Sequence, residues 1–308
     1  MLYKIVFEEL NMFFYIFIAI LSPFFDAIAI IIESLLSNNT FKRQTTMIFY
    51  VSLMDAVFIP LVFIFGMPTI PSFECLWIYL ILGIFDIVYL YPYYTAMKVI
   101  DTSIVAALFS LGQIIVPILS FFVLDEVLNL HQYIGFMIII LASVALSIKG
   151  AKIPKLSRAF WWMVMSSLAV SCRVVIVKGV MNVDNNWINM IVYPCFISGM
   201  LPFIFLLFKK SRKDIIRNFP PYLQKFKIFA LNELLCFLGM VCSIYGLSVL
   251  SPVVSSGISS LQPIFLLAAC YFLSTCYCFT FKEKITPKIL MKKMFCFILI
   301  ILGVILVV

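Results

Sequence analysis

The residues best able to do chemistry in this chain are charged side chains set inside long apolar runs. Asp26 and Glu33 fall in the first such run, Asp55 in the second and Asp86 (GIFDIVY) in the third. Arg173 and Lys178 share the sixth, and Glu233 (LNELL) sits in the eighth. A charge at the centre of a bilayer costs about 2.5–3.5 kcal/mol on insertion scales, so intramembrane charges mark pathways, relays or ion pairs. Aligning the first and sixth runs puts Lys178 at the equivalent of Glu33, and Arg173 two positions from the equivalent of Asp26. Acids in one half answered by bases in the other point to ion pairing across an interface. Arg173 is expected to pair with Asp26 or Asp86 in one state and to hold a substrate carboxylate in another, because its planar fork binds carboxylates bidentately. Asp86 and Glu233 are candidates for coupling to protons, with structural burial as the alternative. Glu33 and Lys178 lie near run ends, where they can extend to the interface. Asp55 reads equally as an interhelical hydrogen bond or as a functional group.

Uncharged polar residues form a second constellation. Thr102, Ser103, Ser110 and Gln113 in the fourth run are answered by Ser255, Ser256, Ser259, Ser260 and Gln262 in the ninth. Small residues let helices approach closely, and packing is their default role. Gln113 and Gln262 are too bulky for that role and are candidates for hydrogen bonding to a substrate. Pro117 and Pro263 free carbonyls from the helical ladder near a cavity. Tyr93, Tyr94 and Tyr245 are candidates to line it, whereas Trp161 and Trp162 read as interface anchors.

The elements that must position these groups are membrane spans. The chain is 64% hydrophobic and 12% charged, which excludes an ordinary soluble domain. Ten runs of about 20 apolar residues, the length that crosses a bilayer, fall at 12–35, 46–66, 75–96, 102–124, 129–148, 159–180, 187–208, 228–248, 251–275 and 289–308. Their continuity argues against an alternating β-barrel pattern. The first is longer than a signal-peptide core and is expected to stay. All but three of the 22 Lys and Arg residues (Lys4, Arg173 and Lys178) fall in alternate connections, at 36–45, 97–101, 149–158, 209–227 and 282–294. Glu8, Glu9, Glu74, Asp125, Glu126 and Asp184 lie on the opposite side. By the positive-inside rule the basic loops are cytoplasmic and both termini lie outside. The net charge of +8 is therefore a topology signal, and no nucleic-acid partner is expected.

The chain also repeats itself. Val99–Gln113 (VIDTSIVAALFSLGQ) and Val249–Pro263 (VLSPVVSSGISSLQP) align without gaps. A repeat after five spans places the second copy upside down, with 1–148 and 149–308 as inverted halves. Such halves hold a site near the midplane and rock to give alternating access.

These residues resemble a known family. The first half runs YYTAMKVIDTSIVAALFSLGQIIVPILSFFVLDEVLNLHQYIGF, and the second IYGLSVLSPVVSSGISSLQPIFLLAACYFL and later KEKITPKIL. The order of small residues, Ser-Leu, Pro, an apolar stretch and Glu is similar to the EamA branch of the drug/metabolite transporter superfamily. Departures exist: Gln113 stands where the pattern usually has proline, Glu283 follows Pro263 at greater spacing than Glu126 follows Gln113, and Lys292 replaces the glycine that Gly135 supplies. Most family members also keep both termini in the cytoplasm, opposite to the charge pattern. The resemblance implies an all-α ten-helix transporter that exports a small metabolite, driven by protons or by exchange.

Enzymatic readings find no support. His131 is the single histidine, no nucleophile elbow or phosphate loop occurs, and the nine cysteines include no C-x-x-C pair. Asn38-Asn39-Thr40 matches a glycosylation sequon on the expected cytoplasmic side. No cofactor or metal is expected. The expected substrate is an amino acid or related carboxylate, with Asp26, Asp86, Tyr94, Gln113, Arg173, Glu233, Tyr245 and Gln262 along the pathway. The alternatives are efflux of lipophilic cations and a non-transporting scaffold. The expected setting is a bacterial inner membrane, with lipid, solute and possible protons as partners, as a monomer or homodimer.

Overall fold

The computed structural model describes residues 2–100, 105, 108, 109, 112, 115–147, 158–277 and 287–307, and every regular element among them is helical. The helices are α1 (Leu2–Asn39), α2 (Gln44–Phe58), α3 (Phe73–Val88), α4 (Leu90–Met97), α5 (Ile115–Leu124), α6 (Leu130–Ser147) and α7 (Arg158–Met181). They continue as α8 (Asn189–Met200), α9 (Lys209–Arg217), α10 (Phe219–Gln224), α11 (Phe226–Val249), α12 (Pro252–Ser259), α13 (Gln262–Tyr277) and α14 (Pro287–Val307). Tighter 3-10 turns at Ile59–Ile64 and Leu201–Leu207 extend α2 and α8; each opens with a proline at its second position, which supplies no N–H to the ladder.

Among the described residues seven stretches are long and apolar enough to cross a membrane: Met12–Ser37, Gln44–Ile64, Phe73–Met97, Arg158–Met181, Asn189–Leu207, Phe226–Val249 and Pro252–Phe272. Each falls on one of the ten runs read from sequence. Three shorter apolar helices, Ile115–Leu124, Leu130–Ala142 and Met294–Val307, fall on three further runs. The connection at 149–157, expected as the seam between halves, lies outside the described residues, as do Thr102, Ser103, Ser110 and Gln113.

Close packing is achieved where glycine removes a side chain. A Cβ on Gly239 of α11 would lie 2.5 Å from Asp26 Oδ1 of α1, and one on Gly135 of α6 would lie 2.6 Å from the Gly303 carbonyl of α14. These two contacts mark the most extensive helix pairs in the molecule, α1 with α11 and α6 with α14. Small residues at such crossings let backbones meet where apolar side chains would hold them apart.

Polar networks fasten the ends. Beside the basic connection, the Tyr50 hydroxyl of α2 donates to the Ile215 carbonyl at 2.8 Å, and its ring stacks on Tyr222 with centroids 4.2 Å apart. The Thr46 hydroxyl donates to the Asp214 carboxylate, so α9 and α10 are pinned to α2. At the other end, two loops are clasped. Asp184 accepts from the Tyr79 hydroxyl at 2.6 Å, the Asn189 amide at 2.7 Å and the Asn186 backbone N–H at 3.1 Å. Asn189 and Thr69 exchange two hydrogen bonds, at 2.8 and 2.9 Å, and the Tyr193 hydroxyl donates to the Thr69 carbonyl.

Burial would raise the Asp184 carboxyl, but the donors from Asn189, Tyr79 and Asn186 outweigh it and hold the group below the usual carboxylate range. A carboxylate with a lowered folded value stabilises fully above its unfolded value of ~3.9, and ceases to as pH falls through the folded value. Asp184→Asn is therefore expected to lower the melting temperature in detergent at pH 7. The difference from the parent protein should close as pH falls below ~3.9, and thermal unfolding across a pH series measures it.

Candidate functional site

One face of α1 opens the site. Ser22, Asp26, Ala29, Ile30 and Glu33 recur every three to four residues, so a single helical stripe lines a cavity of about 260 Å³. Pro23 withholds its N–H from the ladder at the level of this stripe. α11 supplies the facing wall through Glu233, Cys236, Met240 and Ser243, again at helical spacing. Val51, Ser52 and Asp55 come from α2, and Asp86, Tyr89, Leu90 and Tyr93 from α3, α4 and the residue joining them. Arg173 enters from α7, Cys195 and Ser198 from α8, and Ser255, Ser256, Ser259 and Gln262 from α12 and the start of α13.

The charged groups of this cavity are unevenly matched. Arg173 Nε donates to the Asp86 carboxylate in an ion pair joining α7 to α3. The Arg173 Nη2 group faces the Met240 sulfur at 3.8 Å, and the Cys195 thiol faces the same sulfur at 3.7 Å. Glu33, 7% exposed, accepts from the Tyr93 hydroxyl at 2.6 Å and the Tyr94 hydroxyl at 2.9 Å. Glu233, 1% exposed, accepts from the Asn232 amide at 2.7 Å. Asp26 has only a long contact, 3.5 Å, from the Ser22 hydroxyl. Asp55 Oδ1 and Ser52 Oγ are buried and have no hydrogen-bond partner among the described residues. A buried polar group left unpaired costs roughly 1–3 kcal/mol.

The residues expected from sequence separate into three groups. Asp26, Asp86, Arg173, Glu233 and Gln262 line the cavity together. Tyr94 stands behind Glu33, fully buried, and touches the site through that carboxylate. Tyr245 packs on Tyr15 and Trp187, with ring centroids 5.2 and 5.1 Å away, and is not among the lining residues. Gln113 lies outside the described residues. Of the two alternatives for Asp86 and Arg173, the structure holds the pair together; Asp26 makes no ion pair with Arg173 here.

Sequence reasoning set Glu33 aside as an interfacial residue, and the structure places it in the cavity instead. Its distance from the run end misled; Tyr93 and Tyr94, two phenols in adjacent positions, were the available signal that a buried acceptor needed them. Lys178, grouped with it, does reach the end of a helix, where its ammonium caps the Leu247 and Leu250 carbonyls at 2.9 Å each. Ser52, Tyr89 and Cys236 had no sequence signal of their own. Among the described residues no group of three or more His, Cys, Asp or Glu side chains is placed to hold a metal ion.

Residues 13–148 match the model of the EamA-like transporter family. That match agrees with the drug/metabolite transporter superfamily, whose EamA-like members are transporters of small molecules rather than enzymes. With seven apolar helices among its described residues, the protein is an integral, multi-pass membrane protein. No curated protein matches the chain. Among solved structures it is similar to one titled "Crystal structure of protein", with a TM-score of 0.56 at 14% identity over 96% of both chains. At that identity the likeness concerns the fold alone.

Removing one member of a fully buried ion pair strands the other and costs about 3–5 kcal/mol, whereas replacing both is far milder. With side chains 14% and 15% exposed, Arg173 and Asp86 should show the same pattern at smaller size. Asp86→Asn and Arg173→Gln are each expected to lower the melting temperature. The double variant should recover most of that loss, as scanning calorimetry of the four proteins in detergent would record.

Proposed function

We propose that the chain is a secondary transporter that moves a small amine-bearing solute through this cavity by alternating access. In this reading ten helices form two inverted five-helix halves, 1–148 and 149–308, with the basic loops cytoplasmic and both termini outside in a bacterial inner membrane. The charge segregation between alternate connections supports that topology.

The observation that carries the substrate class is the cavity's charge balance. Five carboxylates line it, from Asp26, Glu33, Asp55, Asp86 and Glu233, against the single guanidinium of Arg173. Asp86 already engages that guanidinium. Among the described residues the other four carboxylates form no ion pair, in a setting where an isolated charge costs several kcal/mol. Protons or a bound cation must balance them, and exchange of one for the other couples solute to proton movement. An amino acid fits by its ammonium group; a purely anionic solute anchored on Arg173 would have to displace Asp86 and add negative charge. The cavity size speaks against bulky lipophilic cations, because drug-sized ligands occupy pockets of roughly 300–1,000 Å³ and this one is about 260 Å³.

Counterflow in proteoliposomes tests the reading. Uptake of a labelled amine or basic amino acid should saturate, be competed by other amines, and fall at least about tenfold in Glu233→Gln, equivalent to losing ~1.4 kcal/mol of recognition. Competition by dicarboxylates with none by amines would refute it.

A further inference from the structure

The cavity carboxylates are arranged in stations rather than in one cluster. α1 and α11 run past each other in a fixed antiparallel register: Asp26 meets Gly239, and Ala19 meets Gly246, whose added Cβ would lie 2.9 Å from the Ala19 Cβ. The same register sets Glu33 level with Asn232 and Glu233. Glu33 and Glu233 therefore share one end of the site, with Tyr93, Tyr94 and Asn232 as their donors. Asp26 lies two helical turns away on the same face of α1, about 10 Å at 1.5 Å rise per residue. Between Asp26 and Glu33 that face presents Ala29 and Ile30 to the cavity, a short apolar wall.

We infer that the site takes an extended amine with a positive group at each end, an α,ω-diamine or short polyamine. One ammonium sits at Glu33 and Glu233, the other at Asp26, and the methylene chain lies along Ala29 and Ile30. This inference rests on the amine reading above and makes it specific. An ammonium carries three donors, so a single carboxylate leaves it under-satisfied. The unpartnered Ser52 Oγ (its residue 3% exposed) and Asp55 Oδ1, one turn apart on α2, both border the cavity and supply the missing acceptors. Neither atom has a partner among the described residues, which separates this site from a merely acidic patch.

The test is a chain-length series on the purified full-length protein, read by calorimetric titration. Diamines from 1,3-diaminopropane to 1,8-diaminooctane are compared with n-alkyl monoamines of equal carbon number. At its best length a diamine should bind at least about tenfold tighter than its monoamine. Glu33→Gln keeps an acceptor for the two tyrosines and should bring the diamine-to-monoamine ratio toward one. If that variant does not fold, the series on the parent protein decides alone. Monoamines binding as tightly as diamines at every length would overturn the two-headed site and leave the amine transporter standing. Binding of neither kind, with intact folding, would overturn both.

Discussion

A guanidinium facing a carboxylate away from water is the interaction on which the interior depends. Arg173 and Asp86 each would be untenable alone at this depth, and together they join α7 to α3 across the cavity. α3 in turn packs on α8, and α7 on α4 and α5, so the pair ties together the helices that make one side of the chamber. Its worth is conditional. A buried pair often breaks even against apolar replacements, yet losing one partner is severe. Such a pair is poor glue and good specification: it dictates which two helices must meet and at what height.

The remaining acids are handled by other means, and the means differ. Glu33 is wrapped by two phenols, Glu233 leans on an adjacent amide, and Asp26 and Asp55 are nearly bare. A protein that wanted only stability would fill this volume with leucine. Retaining a set of under-satisfied acceptors sacrifices folding energy, and that strain is usual where a ligand completes the network.

How much of this was legible beforehand varies by element. The spans were, because an apolar run long enough for a bilayer has few other uses, and seven of the ten runs carry helices of full length. The Asp86–Arg173 pairing was half legible: intramembrane charges of opposite sign in the two halves must find each other, but Asp26 was an equal candidate. What separated them is helix packing, since Asp26 faces Gly239 on α11 while Asp86 and Arg173 sit on adjoining helices. Glu33 was misread because position in a run says where a residue starts, not where its side chain is wanted. Tyr245 was drawn in by repeat alignment, yet a tilted contact with Tyr15 and an edge-to-face contact with Trp187 gave that ring a different home. The Asp184 clasp was invisible, because it joins loop residues to the helices beside them across separations of 105 positions for Tyr79 and Asp184 and 120 for Asn189 and Thr69.

The glycine contacts carry a mechanical consequence. α6 meets α14 backbone to backbone at Gly135 and Gly303, and α1 meets α11 where Gly239 leaves room for the Asp26 side chain alone. Each seam joins a helix from the first half of the chain to one from the second. Surfaces so tightly keyed slide or part only at high cost, because interiors deform poorly. The interlocked helix pairs and the two halves of the sequence are then different partitions of the molecule: a rearrangement that kept both pairs intact would take its bending in the connections that flank them.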